Sequence, residues 1–277
     1  MTRRQWIALI LGGGVAAAAY PVLVEPRWLE LTNTTIPGAR GLRNPIRILH
    51  LSDLHASFLV PMPLIEQAIA MGLEQRPDII CVTGDFISYR GDFDPEHYIH
   101  LLSRLSRAAP TYAVLGNHDG GAWAAPRVGY PDHRIVEDML ARSGIRLMHN
   151  RPETIRIGNS DLAVVGVGDL WNNEIDTRAA FSGVHPRTPT LLLSHNPDSK
   201  EVLANVPWDV MLCGHTHGGQ VLIPFMGPQF APVADRRFTA GLRGWRGRQI
   251  FVTRGVGSIG AVRFRCRPEV SILTLTS

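Results

Sequence analysis

Cysteine is scarce in this chain. Among 277 residues there are three, and no Cys-x-x-Cys occurs. Cys81 and Cys213 lie inside apolar runs, and Cys266 stands near the C-terminus. An odd count without that spacing excludes both a disulfide framework and a zinc ribbon. A dense Lys/Arg stripe is missing too. The net charge is +4, and Arg236, Arg237, Arg243, Arg246 and Arg248 are only loosely clustered. No nucleic-acid partner is therefore expected. That basic stretch reads as a solvated loop or as a contact for phosphate or anionic lipid. The chain also lacks an internal repeat and a low-complexity tract. With 45% apolar and 19% charged residues it has ordinary globular composition, and its length supports a large core in one or two domains.

Charge is absent from Ile7 to Val24, just after Arg3-Arg4. Paired arginines before a moderately apolar segment resemble a bacterial twin-arginine export signal. Ala17-Ala18-Ala19 offers a small-residue cleavage site. The apolar stretch also approaches the ~20 residues that span a bilayer. Residues 1–24 are thus expected to be a twin-arginine-type signal or a membrane anchor. Either would direct the protein to the periplasm or hold it in the bacterial inner membrane. Export in the folded state suits an enzyme that acquires metal before crossing.

Residues 25–45 are mixed and contain several Pro and Gly. They read as a linker with one short strand over Trp28–Leu31. From Ile46 to Ser277 no domain boundary is apparent, and 46–277 is expected to be one catalytic domain. Short apolar runs bounded by Gly, Asp and Asn predict strands at 46–51, 79–83, 111–115, 162–167, 190–194 and 210–214, then 220–223, 249–253 and 270–275. Helices are expected at 63–75, 95–107, 133–142 and 197–205. The second has Asp94 as its N-cap. Strand and helix in alternation predict an α/β fold, and the strand-rich tail predicts a second sheet.

Polar clusters follow the strands. They are Asp53-Leu54-His55, Gly84-Asp85, Gly116-Asn117-His118-Asp119, Ser194-His195-Asn196 and Gly214-His215-Thr216-His217. In α/β folds the carboxyl ends of strands converge on one crevice, so these clusters are expected to meet. Their carboxylates, amide and imidazoles exceed what one ion needs and suit two ions sharing a carboxylate. Asp85 is the natural bridge, because a carboxylate has two oxygens to divide. Taken singly, an Asp-x-His is usually a capped turn and an Asn-His-Asp a polar loop; the joint occurrence carries the argument. Two cations about 3.5–4 Å apart clamp a phosphate ester and supply a nucleophile at neutral pH. A leaving alkoxide needs a proton, and a positioned histidine is the usual donor. Asp169 either caps its turn or lines the pocket, and Asn172 and Asn173 share that alternative. Arg90 reads as a solvated loop arginine or a phosphate contact.

The ordered set Asp53-x-His55, Gly84-Asp85, Gly116-Asn117-His118-Asp119, His195 and Gly214-His215-x-His217 resembles the calcineurin-like metallophosphoesterase superfamily. The resemblance implies a four-layer sandwich of two mixed β-sheets flanked by helices. It implies one divalent ion on Asp53, His55, Asp85 and His217, and a second on Asp85, Asn117, His195 and His215. His118 would stand by the scissile ester, with Asp119 orienting it. Within the superfamily, Glu25-Pro26-x-Trp28, the extended Gly214–Gln220 run and the tail Arg254–Glu269 look like the YkuE/YaeI-type phosphoesterases. The histidine at position 118 stands where a relative acting on a lipid A precursor has arginine. A dinuclear phosphodiesterase or pyrophosphatase is therefore expected, acting on a lipid or envelope substrate such as a UDP-diacylglucosamine-like molecule. A broad phosphomonoesterase and a non-catalytic, metal-stabilised envelope binding protein are the alternatives. With no thiolate in the set, manganese or iron is expected ahead of zinc. The segment from Phe225 to Trp245 reads either as a packed connection or as an amphipathic lip meeting lipid at the bilayer surface.

Overall fold

The computed structural model of the protein describes Thr2, Gln5, residues 19–91 and residues 93–277. Residues 1, 3, 4 and 6–18 of the expected signal or anchor lie outside these, while its last residues, Tyr20–Val24, form a single turn. No helix among the described residues is long and apolar enough to cross a membrane.

Two six-stranded mixed sheets carry the fold. The first contains β1 (Glu30–Ile36), β2 (Ile46–Leu51), β3 (Ile79–Thr83), β4 (Thr111–Val114), β5 (Arg146–Leu147) and β14 (Glu269–Leu275), in the order β1-β14-β2-β3-β4-β5. The second contains β6 (Arg151–Ile157), β7 (Ser160–Gly166), β8 (Thr190–Leu193), β9 (Val210–Cys213), β12 (Gly241–Trp245) and β13 (Arg248–Val252), in the order β12-β13-β9-β8-β7-β6. A small hairpin pairs β10 (Leu222–Ile223) with β11 (Gly227–Pro228).

Strands β2, β3 and β4 run parallel, as do β7, β8, β9 and β13. Their residues are almost all apolar because both faces are covered. In β3, Ile79 and Cys81 point into the core between the sheets, beside Leu191 and Leu212 of the other sheet. Ile80 and Val82 point the other way, onto the helices α1 (Met62–Leu73), α2 (Pro95–Ala108) and α3 (Arg134–Arg142). The outer face of the second sheet is covered by the short helices α4 (Thr177–Ala180) and α5 (Ser199–Val202) and by the segments bearing Phe238 and Trp208, which pack with Trp245 at the end of β12. These layers form the expected four-layer sandwich. Asp94 caps α2 as expected, accepting from Glu96 N and His97 N.

Three expectations change. The linker read over 25–45 contains β1, a full member of the first sheet. β1 pairs in parallel with β14 along its whole length. The short strand expected over Trp28–Leu31 overlaps its start, but most of its side chains are half-exposed and polar, so its full extent to Ile36 was not marked by an apolar run. The helix expected at 197–205 is only the single turn of α5. The Phe225–Trp245 segment divides: Phe238 and Trp245 are buried in the core, and Trp245 stacks on Trp208 at 5.8 Å. Phe225, Met226 and Phe230 face solvent.

Candidate metal centre

The polar clusters lie where β2, β3, β4, β8 and β9 end. Five of the seven ligand-type side chains are turned by backbone geometry that apolar strand continuation would not adopt. Asp53, His55, Asp85, His215 and His217 all take positive φ, between 48° and 70°. Non-glycine residues pay about 1–2 kcal/mol for such conformations, which persist only where the surroundings impose them. Here backbone bonds between loops impose them: Asp53 N donates to Gly84 O at 2.9 Å, and His55 N donates to Asp85 O at 2.9 Å.

The loops approach so closely that side chains are excluded. A Cβ on Gly84 would come within 2.6 Å of Gly116 N and 2.7 Å of His195 Nδ1. A Cβ on Gly214 would overlap Ser52 Oγ and Asp53 Oδ2. The glycine before His215 therefore admits protein atoms.

Two groups of donors result, one of Asp53, His55, Asp85 and His217 and one of Asp85, His195 and His215. Asp85 belongs to both. Its Oδ2 lies 3.4 Å from His55 Nε2 and 3.2 Å from His195 Nε2. Its Oδ1 accepts the backbone N–H of His118 at 2.9 Å. In the first group His217 Nε2 is 3.4 Å from Asp53 Oδ1 and 3.3 Å from His55 Nε2. In the second, His195 Nδ1 meets Thr83 O at 2.7 Å, which leaves Nε2 to face the carboxylate.

The donors fit cations. Asn117 Oδ1 is buried with no hydrogen-bond partner, and His215 turns Nδ1 toward His195 Nε2 at 3.2 Å across the second group. An orphan such as Asn117 Oδ1 is costly unless something else satisfies it. Burial pushes His55 and His217 down to about 3, against the pull of Asp85 and Asp53, so both offer lone pairs at neutral pH. Burial also opposes charge on His195, but the Asp85 charge and hydrogen bond lift it to about 10. Asp85, although buried, is held well below the usual carboxylate range by His195 and His118.

His118 stands beside the first group, its ring 4.9 Å from that of His55. The expected orienting role of Asp119 needs correction. No bond joins the Asp119 carboxylate to the His118 imidazole. Instead Asp119 accepts from the backbone N–H of Asp85, Phe86, Ile87 and Gly116. The group facing His118 Nδ1 is the carbonyl of Ser88, at 3.2 Å. Asp119 lies too near the turn it braces to reach past it.

Of its two expected roles, Asp169 takes that of capping its turn. Oδ1 accepts Asn172 N at 2.9 Å, while Oδ2 is buried without a partner. Burial pushes it up to about 6. Arg90 is exposed. Sequence reasoning missed Arg263, which is fully buried. It donates through Nη2 to Arg254 O at 2.7 Å and Gly257 O at 2.5 Å, and through Nη1 to Cys266 O at 3.0 Å. It pins the loop behind Asp53 and His55. Only its count of five donors, suited to several carbonyls, could have suggested this.

Residues 46–219 match the family of calcineurin-like phosphoesterases. The chain belongs to this family. Like its relatives, this metallophosphoesterase is a phosphoester hydrolase, and its buried Asp/His cluster suits divalent metal. It is 42% identical over 251 residues to the phosphodiesterase YaeI of Escherichia coli, covering 91% of this chain and 90% of that one. It is 28% identical to the uncharacterized metallophosphoesterase YkuE of Bacillus subtilis, across 100% of this chain and 98% of that one. It is 25% identical to the UDP-2,3-diacylglucosamine pyrophosphatase LpxG of Chlamydia trachomatis, across 96% of this chain and 95% of that one.

Proposed function

We propose that this metallophosphoesterase cleaves a phosphodiester or pyrophosphate bond in a lipid-linked envelope substrate at a membrane surface. The observation that carries this is an apolar groove of about 590 Å³ leading off metal-site residue His217. Phe230, Ala231, Pro232, Ile259 and Val262 line it. Met226 and Phe225, in the small hairpin that precedes groove-lining Gln229, are exposed. Arg263, next to Val262, donates its N–H to Pro21 O at 2.8 Å. That bond brings the exposed Val22, Leu23 and Val24 toward the same edge. An apolar patch of this kind marks a membrane or ligand contact. The names of YaeI and LpxG support a diester or pyrophosphate, and that of LpxG a lipid. Export or anchoring through residues 1–24 suits this location.

In this reading Asp53, His55, Asp85 and His217 would hold one ion, and Asp85, Asn117, His195 and His215 would hold the other. The nitrogen and oxygen ligands favour manganese or iron over zinc. Bound ions neutralise the phosphoryl oxygens and supply a nucleophile at neutral pH. His118, held through Nδ1 by Ser88 O, carries the proton on Nε2 and passes it to the departing oxygen. The Asp119 carboxylate holds the Asp85 turn in place throughout.

The test is turnover by the full-length, manganese-loaded protein. We expect bis-p-nitrophenyl phosphate to outrun p-nitrophenyl phosphate, and envelope lipid extracts to yield a cleaved phospholipid product. Faster monoester turnover with no lipid product would favour the broad phosphomonoesterase. No hydrolysis of any phosphoester would leave a binding protein.

A further inference from the structure

Two tryptophans stand at the mouth of the centre with no part in the chemistry above. Trp123 lies in the loop after β4, and Trp171 in the loop after β7. Their rings are 5.5 Å apart and tilted by 34°. Trp123 is 4.7 Å from the His118 ring, and Trp171 is 4.2 Å from the His215 ring, nearly perpendicular to it. The pair thus spans from the proposed proton donor to a proposed ligand of the second ion.

The arrangement is built before any ligand arrives. Asn172 latches the two loops: Oδ1 accepts Trp123 N at 2.9 Å, and Nδ2 donates to Gly120 O at 3.1 Å. Asp169 in turn accepts Asn172 N. The Arg127 guanidinium lies 4.3 Å from the centre of the Trp123 ring, and its Nη1 donates to Trp123 O at 2.6 Å. Trp123 is therefore backed. Trp171 keeps 40% of its surface exposed. Neither indole N–H donates a hydrogen bond among the described residues. A large aromatic surface held open and rigid at a reaction centre lowers the ordering cost of whatever stacks on it.

We propose that Trp171, braced by Trp123, is a stacking platform for a planar aromatic ring of the nucleobase kind, carried by the phosphoester substrate. The proposal rests on the reading of the centre as a phosphoester site. The direction follows from the His-Thr-His turn. His217 lines the apolar groove, whereas His215 meets Trp171 edge-on. An ester bound across the two donor groups thus has one substituent directed to the groove and the other to the indoles. Acyl chains fit the groove. On the indole side the half-open face of Trp171 suits a planar ring, with the Arg127 guanidinium behind Trp123 as the nearby cation.

The experiment is calorimetric titration of the metal-loaded full chain with non-hydrolysable phosphonates, so turnover is not needed. The probes are a nucleoside 5′-phosphonate, a pentose 5-phosphonate and methylphosphonate. Base–aromatic stacking is worth about 5- to 150-fold. We expect the nucleoside compound to bind at least about tenfold more tightly than the pentose compound. Trp171→Ala should erase that ratio, and Trp171→Phe should keep most of it. Equal binding of nucleoside and pentose compounds would overturn the platform alone. So would a Trp171→Ala loss that is equal for all three probes, which marks a merely structural role. Failure of all three to bind the parent protein would overturn the phosphoester reading and the platform with it.

Discussion

The carboxylate of Asp119 accepts the backbone N–H of Asp85 at 2.9 Å, thirty-four positions away in sequence. The same carboxylate accepts Phe86 N at 2.7 Å and Gly116 N at 2.8 Å. It thereby fixes the left-handed turn that aims Asp85 at both groups of imidazoles.

Asp119→Ala leaves these amides in a buried place without an acceptor, at about 1–3 kcal/mol for each one left unsatisfied. The expected outcome is a stability loss of about 3 kcal/mol or more in denaturant titration. Metal affinity should also fall, by about 10- to 100-fold, as for other residues that orient ligands. An activity loss with stability and metal content intact would instead mean that Asp119 acts on the chemistry directly.

Asp85→Asn keeps the shape but removes the charge common to both donor groups. Elemental analysis after metal loading should show both ions lost together, with turnover reduced by at least about 100-fold. Retention of one full equivalent would contradict the sharing of Oδ2 between His55 and His195.

His118→Ala should depend on the leaving group. General acids contribute about 10²–10⁴-fold where a basic alkoxide departs. A p-nitrophenolate leaves readily without a proton, so bis-p-nitrophenyl phosphate should lose far less rate than an alkyl diester. Equal losses on the two substrates would remove His118 from the proton-transfer role.

Glu269 controls an acid limb of stability away from the ligands. It accepts Thr32 Oγ1 at 2.6 Å, Arg254 N at 2.9 Å and Arg254 Nε at 3.0 Å. Burial pushes its carboxyl up, but Arg254 and these bonds outweigh that and hold it below its ordinary 4.5. Between the two values the unfolded chain binds more protons than the folded one, so stability falls as pH falls. The contribution is fully present above pH 4.5 and is lost on acidification through the lower, folded value. Thermal melts of Glu269→Gln should show lower stability at pH 7 and a shallower decline below pH 4.5. An unchanged acid limb would exclude Glu269 as its source.

Much of the first sheet and both long, strongly periodic helices were legible in the sequence. Ile46–Leu51 and Ile79–Thr83 coincide with β2 and β3 because buried parallel strands are short, apolar and bounded by polar turns. β6 was not resolved in that way, and β1 only at its start, by the strand expected over Trp28–Leu31. They lie at the sheet edges and alternate polar with half-buried residues, so no apolar run marks them. β12, with glycine and arginine in its middle, escaped for a similar reason.

Residue types and order by themselves determined the ligand chemistry: two carboxylates, an amide and imidazoles after successive strands, with no thiolate among them. That much is local, because strand ends and glycine turns are written in short stretches of chain. Which atoms meet was decided only by tertiary structure. Asp85 Oδ2 lies between two histidines from different sheets, Asp119 braces a turn and not an imidazole, and Trp123 and Trp171 are joined by Asn172. Those pairings cross from one strand end to another, and the approach that sets them depends on how two sheets pack.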